Sequence, residues 1–248
     1  MIASLPMYDL PPVQAANDRL WALIRDGLHA RGIPAPDALT RGAETLWPQW
    51  QAPDLVFSQT CGMPYRTRLH GHVTLIGTPD YGLPDCPPGY YRSVFIAHRD
   101  DPRNDIMGFD GSDMAFNEEV SQSGWSAPLT HAAKLGIRLR PTLQTGGHRF
   151  SMLAVAEGRA PLAALDALTW DLLQDCAPET AMVKVIGHTD PTPALPFISA
   201  AGADQPVMFA VVQAAIAALS AKDRAATRLR GLVAIPKDSY LAVPTPSA

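Results

Sequence analysis

Apolar positions recur at three- and four-residue spacing near the start of the chain, where Val13, Ala16, Leu20, Leu23, Ile24 and Leu28 fall on one face. This spacing predicts a helix over 13–31, with Gly32 as its stop. Ahead of it, residues 2–8 read as a short strand entering a proline-rich loop, so the chain opens on a β-α unit. Farther along, the pattern shortens to apolar runs at 54–58, 73–77, 93–97 and 182–187, bounded by Gly and Pro. Such runs predict strands buried in a parallel sheet. Helical spacing returns at 128–135, at 148–157 through Phe150, Met152, Leu153, Val155 and Ala156, and at 206–221. Prolines exclude a helix through 189–193. The alternation predicts an α/β fold. The chain is expected to enter a second lobe near 92–100 and return near 189–199.

Composition narrows the partners. The 248 residues are 47% hydrophobic and 18% charged, with a net charge of −4, which describes a globular protein. The 24 prolines are dispersed and punctuate loops. No Lys/Arg cluster supplies the footprint of a nucleic-acid binder. The longest apolar stretch, 207–219, is interrupted by Gln213 and is too short to insert in a membrane. The opening Met1-Ile2-Ala3-Ser4-Leu5-Pro6 lacks a basic region followed by an apolar core, so this numbering shows no secretory signal. Cys61, Cys86 and Cys176 have neither zinc spacing nor companion histidines. A Cys61–Cys86 disulfide and three unbridged thiols both remain open.

Chemistry concentrates where small polar residues precede helices. Ser121-Gln122-Ser123-Gly124 stands directly before one, where unpaired N–H groups and the positive helix end suit an anion without a cationic side chain. Ser121 or Ser123 could equally serve as a helix cap. Thr145-Gly146-Gly147-His148 opens the next helix, and a histidine there can hydrogen-bond an oxyanion. Arg149 points about 100° away on the same helix. Asp166 reads either as an N-cap or as a carboxylate that meets a donor on the ligand. Tyr91 can line a cleft or pack as a loop aromatic. His70-Gly71-His72 lacks a third ligand, so no metal or other cofactor is expected. The hydrolase, nucleotide and metalloprotease motifs are absent.

In order along the chain, the segments 54–65, Tyr91-Arg92-Ser93, Ser121-Gln122-Ser123-Gly124, Gly147-His148, Ala164-Leu165-Asp166 and 189–196 resemble the phosphonate-binding (PhnD-like) group of periplasmic substrate-binding proteins of ABC transporters. The resemblance implies the type II periplasmic-binding fold: two α/β lobes, 1–95 with 192–248 and 96–191, joined by two crossing strands, with a ligand cleft between them. It further implies a monomer that captures a small oxyanion for an ABC transporter permease. Tyr65, Tyr91, Ser121, Gln122, Ser123, His148 and Asp166 become the expected ligand-binding residues, with no catalytic residue. Gln122 stands where the family often has Thr, and Ala160-Pro161 replaces an acidic turn. The resemblance implies the periplasm; with no signal peptide in this numbering, a processed leader, a misplaced start and a cytoplasmic relative are the alternatives. Two alternatives accompany this reading: an enzyme on the same scaffold, of thiamine- or menaquinone-pathway type, using His148 or Cys61, and a cytoplasmic ligand-sensing protein.

Overall fold

The computed structural model describes residues 1–42 and 46–246. The first part of the chain runs β1 (Ile2–Ser4), α1 (Pro11–His29), α2 (Trp47–Trp50), β2 (Leu55–Gln59), α3 (Gly62–Pro64) with a π-helical turn at Tyr65–Leu69, and β3 (Val73–Asp80). The middle runs β4 (Tyr90–Tyr91), β5 (Ser93–His98), β6 (Asp113–Phe116), a π-helical turn (Gln122–Ser126) continuing into α4 (Ala127–Lys134), β7 (Arg140–Gln144), α5 (His148–Ala156), β8 (Leu162–Asp166), α6 (Ala167–Gln174) and β9 (Val183–His188). The last part adds β10 (Thr192–Pro193), β11 (Phe197–Ala200), α7 (Gln205–Ala218), α8 (Ala221–Thr227), β12 (Gly231–Val233) and α9 (Lys237–Leu241).

These elements form two compact units. Unit 1 comprises Met1–Gly89 with Pro193–Leu241, and unit 2 comprises Tyr90–Thr192 with the segment from Ala242 onward. Where the chain changes unit, β4 and β10 pair as a two-stranded ribbon.

Unit 1 is a five-stranded sheet in the order β1-β2-β11-β3-β12. β1 and β2 are parallel, whereas β11 lies antiparallel between β2 and β3. The parallel sheet expected for the runs at 54–58 and 73–77 is thus a mixed one, because a strand from far along the chain takes the place between them. Helix α1 starts with proline in its first turn, where the missing N–H costs nothing. It buries Val13, Ala16, Leu20, Trp21, Ile24 and Leu28, of which each Val, Leu or Ile side chain is worth about 1.5–3 kcal/mol when fully buried. Trp21 stacks on Phe57 at 5.9 Å between ring centroids, and Phe57 packs on Phe197 at 4.9 Å. Helix α1 ends at His29, two residues before the expected limit. The single helix expected over 206–221 is two, because Leu219 is extended and Ser220 caps α8 by accepting from the Asp223 N–H. None of the three cysteines is in a disulfide. Among the described residues no single helix is long and apolar enough to cross a membrane.

Unit 2 is a five-stranded sheet in the order β7-β6-β8-β5-β9. β7, β6 and β8 are mutually parallel, so their C-terminal ends share one edge. β5 is antiparallel to β8 and β9, which brings Ser93 opposite Asp166 and Val94 opposite His188 at that same edge. The hydrophobic pattern did not reveal β6, β7 or β8 as strands. β6 has four residues, β7 carries Arg, Pro and Gln with alternate positions exposed, and β8 is rich in alanine, a poor strand former.

Candidate functional site

Three helical segments of unit 2 follow the three parallel strands and begin at the shared edge. Each has a backbone start whose N–H groups lack intrahelical acceptors. At the first, Ser121 is the N-cap, and its Oγ accepts from the Gly124 N–H at 3.0 Å. The helix therefore opens at Gln122, ahead of the expected 128. The N–H groups of Ser123 and Trp125 belong to the same first turn, with the positive end of the helix dipole behind them. Ser121, Gln122 and Ser123 are all buried.

The second start belongs to α5, with Gly147 as N-cap and His148 as its first residue. Gly146, at φ +81°, takes the left-handed conformation that turns β7 into this helix. Thr145 fastens the turn. Its N–H donates to the Phe116 carbonyl, and its Oγ1 lies 2.7 Å from Ser151 Oγ. These bonds place the His148 ring beside the first helix, with Nε2 3.0 Å from Ser123 Oγ. Burial lowers the imidazole to about 4, so the ring is neutral at physiological pH. Its other nitrogen, Nδ1, is buried without a hydrogen-bond partner.

The third start is α6, capped by Asp166, whose Oδ1 accepts from the Thr169 N–H at 2.9 Å. Asp166 thus performs the capping role that its position allowed, and one carboxylate oxygen is used in doing so.

Residues that the sequence did not single out as ligand-binding complete the arrangement. Ser93 Oγ donates to the Ser123 carbonyl at 2.8 Å, and the Ser93 N–H donates to Thr189 Oγ1 at 2.9 Å. The Thr189 N–H returns a bond to the Ser93 carbonyl. Ser93 therefore ties the turn Ser121-Gln122-Ser123-Gly124 to β5 and to the segment after β9. Asn117 packs so closely that a Cβ on Gly124 would lie 1.9 Å from its Oδ1, so a side chain there would force Asn117 to shift. Because these contacts depend on sheet register between distant segments, the only signal in the sequence was a polar residue at the end of an apolar run.

Of the expected ligand residues, Ser121, Gln122, Ser123 and His148 come together at this edge, and Asp166 lies on the same edge. Tyr91 lies in β4 of unit 2, where it is 1% exposed. Tyr65 belongs to unit 1, packed edge-on to Tyr240 at 5.1 Å, and burial pushes its phenol above the ordinary range. Among the described residues no three of His, Cys, Asp and Glu are grouped to hold a metal ion, so His70 and His72 acquire no third ligand.

A hydroxyl- and amide-rich helix start with a neutral imidazole at its side is chemistry for holding an anion by hydrogen bonds. No curated protein sequence matches the chain. Among solved structures, PhnD1 from Prochlorococcus marinus, in complex with methylphosphonate, is similar at 13% identity and a TM-score of 0.73, covering 96% of this chain and 94% of that one. A binding protein component of an ABC phosphonate transporter from Pseudomonas aeruginosa is similar at 14% identity and 0.66, covering 96% and 83%. A Xanthomonas citri protein bound to ATP is similar at 14% identity and 0.68, covering 96% and 92%. At such identities the likeness concerns the fold, which is the two-lobed α/β fold of periplasmic binding proteins. Residues 54–238 match the family described as ABC transporter, phosphonate, periplasmic substrate-binding protein. The chain belongs to this family of solute-binding proteins of phosphonate ABC transporters.

Proposed function

We propose that the protein captures a small tetrahedral oxyanion of the phosphonate or phosphate kind and delivers it to an ABC transporter permease, acting as a monomer in the periplasm. The observation that carries this reading is the convergence of the Ser121 and Ser123 hydroxyls, the first-turn amides and the His148 ring at one helix start. The ligand's charge would meet helix dipoles and hydroxyls there. Four or five charge-assisted hydrogen bonds at about 1.5–3 kcal/mol each, less the cost of ordering, suffice for micromolar binding, which is about −8 kcal/mol. Tyr91, Gln122 and Tyr65 are proposed as further contacts by family resemblance, and Asp166 as the partner of a ligand amino group.

The test is calorimetric titration with methylphosphonate, 2-aminoethylphosphonate, phosphate, phosphite and sulfate. At least one phosphorus oxyanion binds with a Kd of about micromolar; binding no better than millimolar across the set rejects the reading. For Asp166→Asn, the aminophosphonate loses more affinity than phosphate, and equal losses reject that role.

The Ser123–His148 contact also favours a second reading, since a hydroxyl bonded to an imidazole is the beginning of a nucleophilic dyad. No carboxylate orients the free face of His148, however, because its Nδ1 has no partner. Mass spectrometry of ligand recovered after incubation separates the two: a binding protein returns it unchanged, and an enzyme converts it.

A further inference from the structure

Two buried side-chain atoms beside the anion turn have no hydrogen-bond partner: Asn117 Oδ1 and His148 Nδ1. Both side chains approach Gly124: a Cβ built there would fall 1.9 Å from Asn117 Oδ1 and 3.2 Å from His148 Cε1, the ring carbon between Nδ1 and Nε2. The backbones that carry them are joined as well, because the Asn117 carbonyl accepts from the Gly146 N–H at 3.0 Å, two residues before His148. The two orphans are chemically complementary. An amide oxygen only accepts, and a neutral imidazole has one N–H to give. A hydrogen bond between them would satisfy both atoms, each of which otherwise carries the cost of a buried unsatisfied group.

We propose that Asn117 is a positioning residue that accepts the Nδ1–H of His148, fixes that tautomer, and leaves Nε2 as a hydrogen-bond acceptor in the cradle, which thereby selects oxyanions that carry a proton. The ligand part of this inference rests on the binding function proposed above; the tautomer part does not.

The electrostatics support it. Burial alone depresses the His148 imidazole, and no charged side chain contributes to the shift. The ring is therefore neutral near pH 7, and one of its nitrogens must be bare. With the proton on Nδ1, the Ser123 hydroxyl donates to Nε2, as their 3.0 Å separation allows. Ser93 already donates its own hydroxyl proton to the Ser123 carbonyl. The side of the cradle at His148 then presents lone pairs, either on Nε2 or on Ser123 Oγ. A singly protonated phosphonate or phosphate supplies the hydrogen that such an acceptor needs. Sulfate, which holds no proton near neutrality, leaves lone pair against lone pair, a repulsion that discriminates more sharply than an added attraction.

Nitrogen-15 NMR of histidine-labelled protein, with the His148 signals assigned by His148→Gln, reads the tautomer before any ligand is added. The expected result is a protonated Nδ1 and a bare Nε2 in the unaltered protein and in Asn117→Asp, whose carboxylate still accepts, and a mixture in Asn117→Ala. In titrations, methylphosphonate is expected to bind at least about 100-fold tighter than sulfate, a preference that Asn117→Ala reduces about tenfold and Asn117→Asp retains. A bare Nδ1 in the unaltered protein, or sulfate binding within about threefold of methylphosphonate, overturns the proposal. If the tautomer is as expected and no oxyanion binds, the binding function fails while the positioning by Asn117 stands.

Discussion

In unit 1, buried polar side chains largely find one another, with Gln49 Oε1 left over. Ser4 Oγ lies 2.8 Å from Ser58 Oγ, Gln59 donates to the Tyr81 hydroxyl and the Leu195 carbonyl, and Thr78 Oγ1 meets the Tyr240 hydroxyl at 2.6 Å. In unit 2, Ser93, Ser121 and Asp166 are satisfied in the same manner, yet Asn117 Oδ1 and His148 Nδ1 beside the 121–124 turn are left over, as are His131 Nδ1 and Glu179 Oε2. Side chains cap helix starts in both units, Asp204 and Ser220 in unit 1 and Ser121 and Asp166 in unit 2, but only in unit 2 do the capped starts gather at one sheet edge among buried polar groups. Polar groups that close on themselves stabilise a fold; a helix start with donors and orphaned atoms left over is equipped to receive a ligand.

Close-packed glycines test this contrast with the largest effects. Gly124→Ala puts a methyl group 1.9 Å from Asn117 Oδ1 and is expected to weaken oxyanion binding about 100-fold or more by displacing the anion turn. Gly77→Ala in unit 1 meets the Phe209 ring at 2.9 Å and Leu232 at 3.1 Å. It should lower unfolding free energy by about 1–3 kcal/mol, read by urea denaturation, with little change in affinity. Exchange of those two outcomes would break the assignment of roles.

Acid should strike unit 2 through His148. The ring titrates near 4 when folded against an ordinary value of 6.5, so between those values the unfolded chain binds more protons. This contribution is fully present above pH 6.5, declines as pH falls from 6.5 through 4, and is absent below. Relative to His148→Gln, the unaltered protein should lose up to about 3 kcal/mol across that window, measured by urea denaturation at successive pH values. Parallel pH curves for the two proteins would place the ring in water.

Single hydroxyls come next. Ser123→Ala should reduce affinity about tenfold to 100-fold, since a bond to a charged ligand contributes roughly 1.5–3 kcal/mol. Ser58→Ala, which leaves Ser4 without its partner, should cost about 1–2 kcal/mol of stability and leave binding unchanged. The smallest effect belongs to Lys134→Ala. It removes an ion pair with Asp190 in which both side chains are more than 60% exposed, and should change stability by less than about 0.5 kcal/mol.

How much of this was legible depends on how far each contact reaches along the chain. Helix α1 announced itself because its buried face repeats at three and four residues, and Ser121 and Gly124 were visible because capping is local. The strand β11 between β2 and β3 was not, since nothing near 197–200 encodes a partner more than a hundred residues away. The same limit hid Ser93 and Thr189, whose place at the site follows from the register of β5 with β8 and β9. Asn117 escaped notice because its closeness to the turn depends on the missing side chain of Gly124, which no periodicity records. Asp166 offered two readings, and the structure displays the capping one.

The central claim is that the anion turn of unit 2 holds a tetrahedral oxyanion. Its most direct test is calorimetric titration of methylphosphonate into the unaltered protein and into Ser123→Ala. The account predicts a Kd of about micromolar for the first and at least about tenfold weaker binding for the second. Binding no tighter than about millimolar to the unaltered protein, or equal affinity in the two, would contradict it.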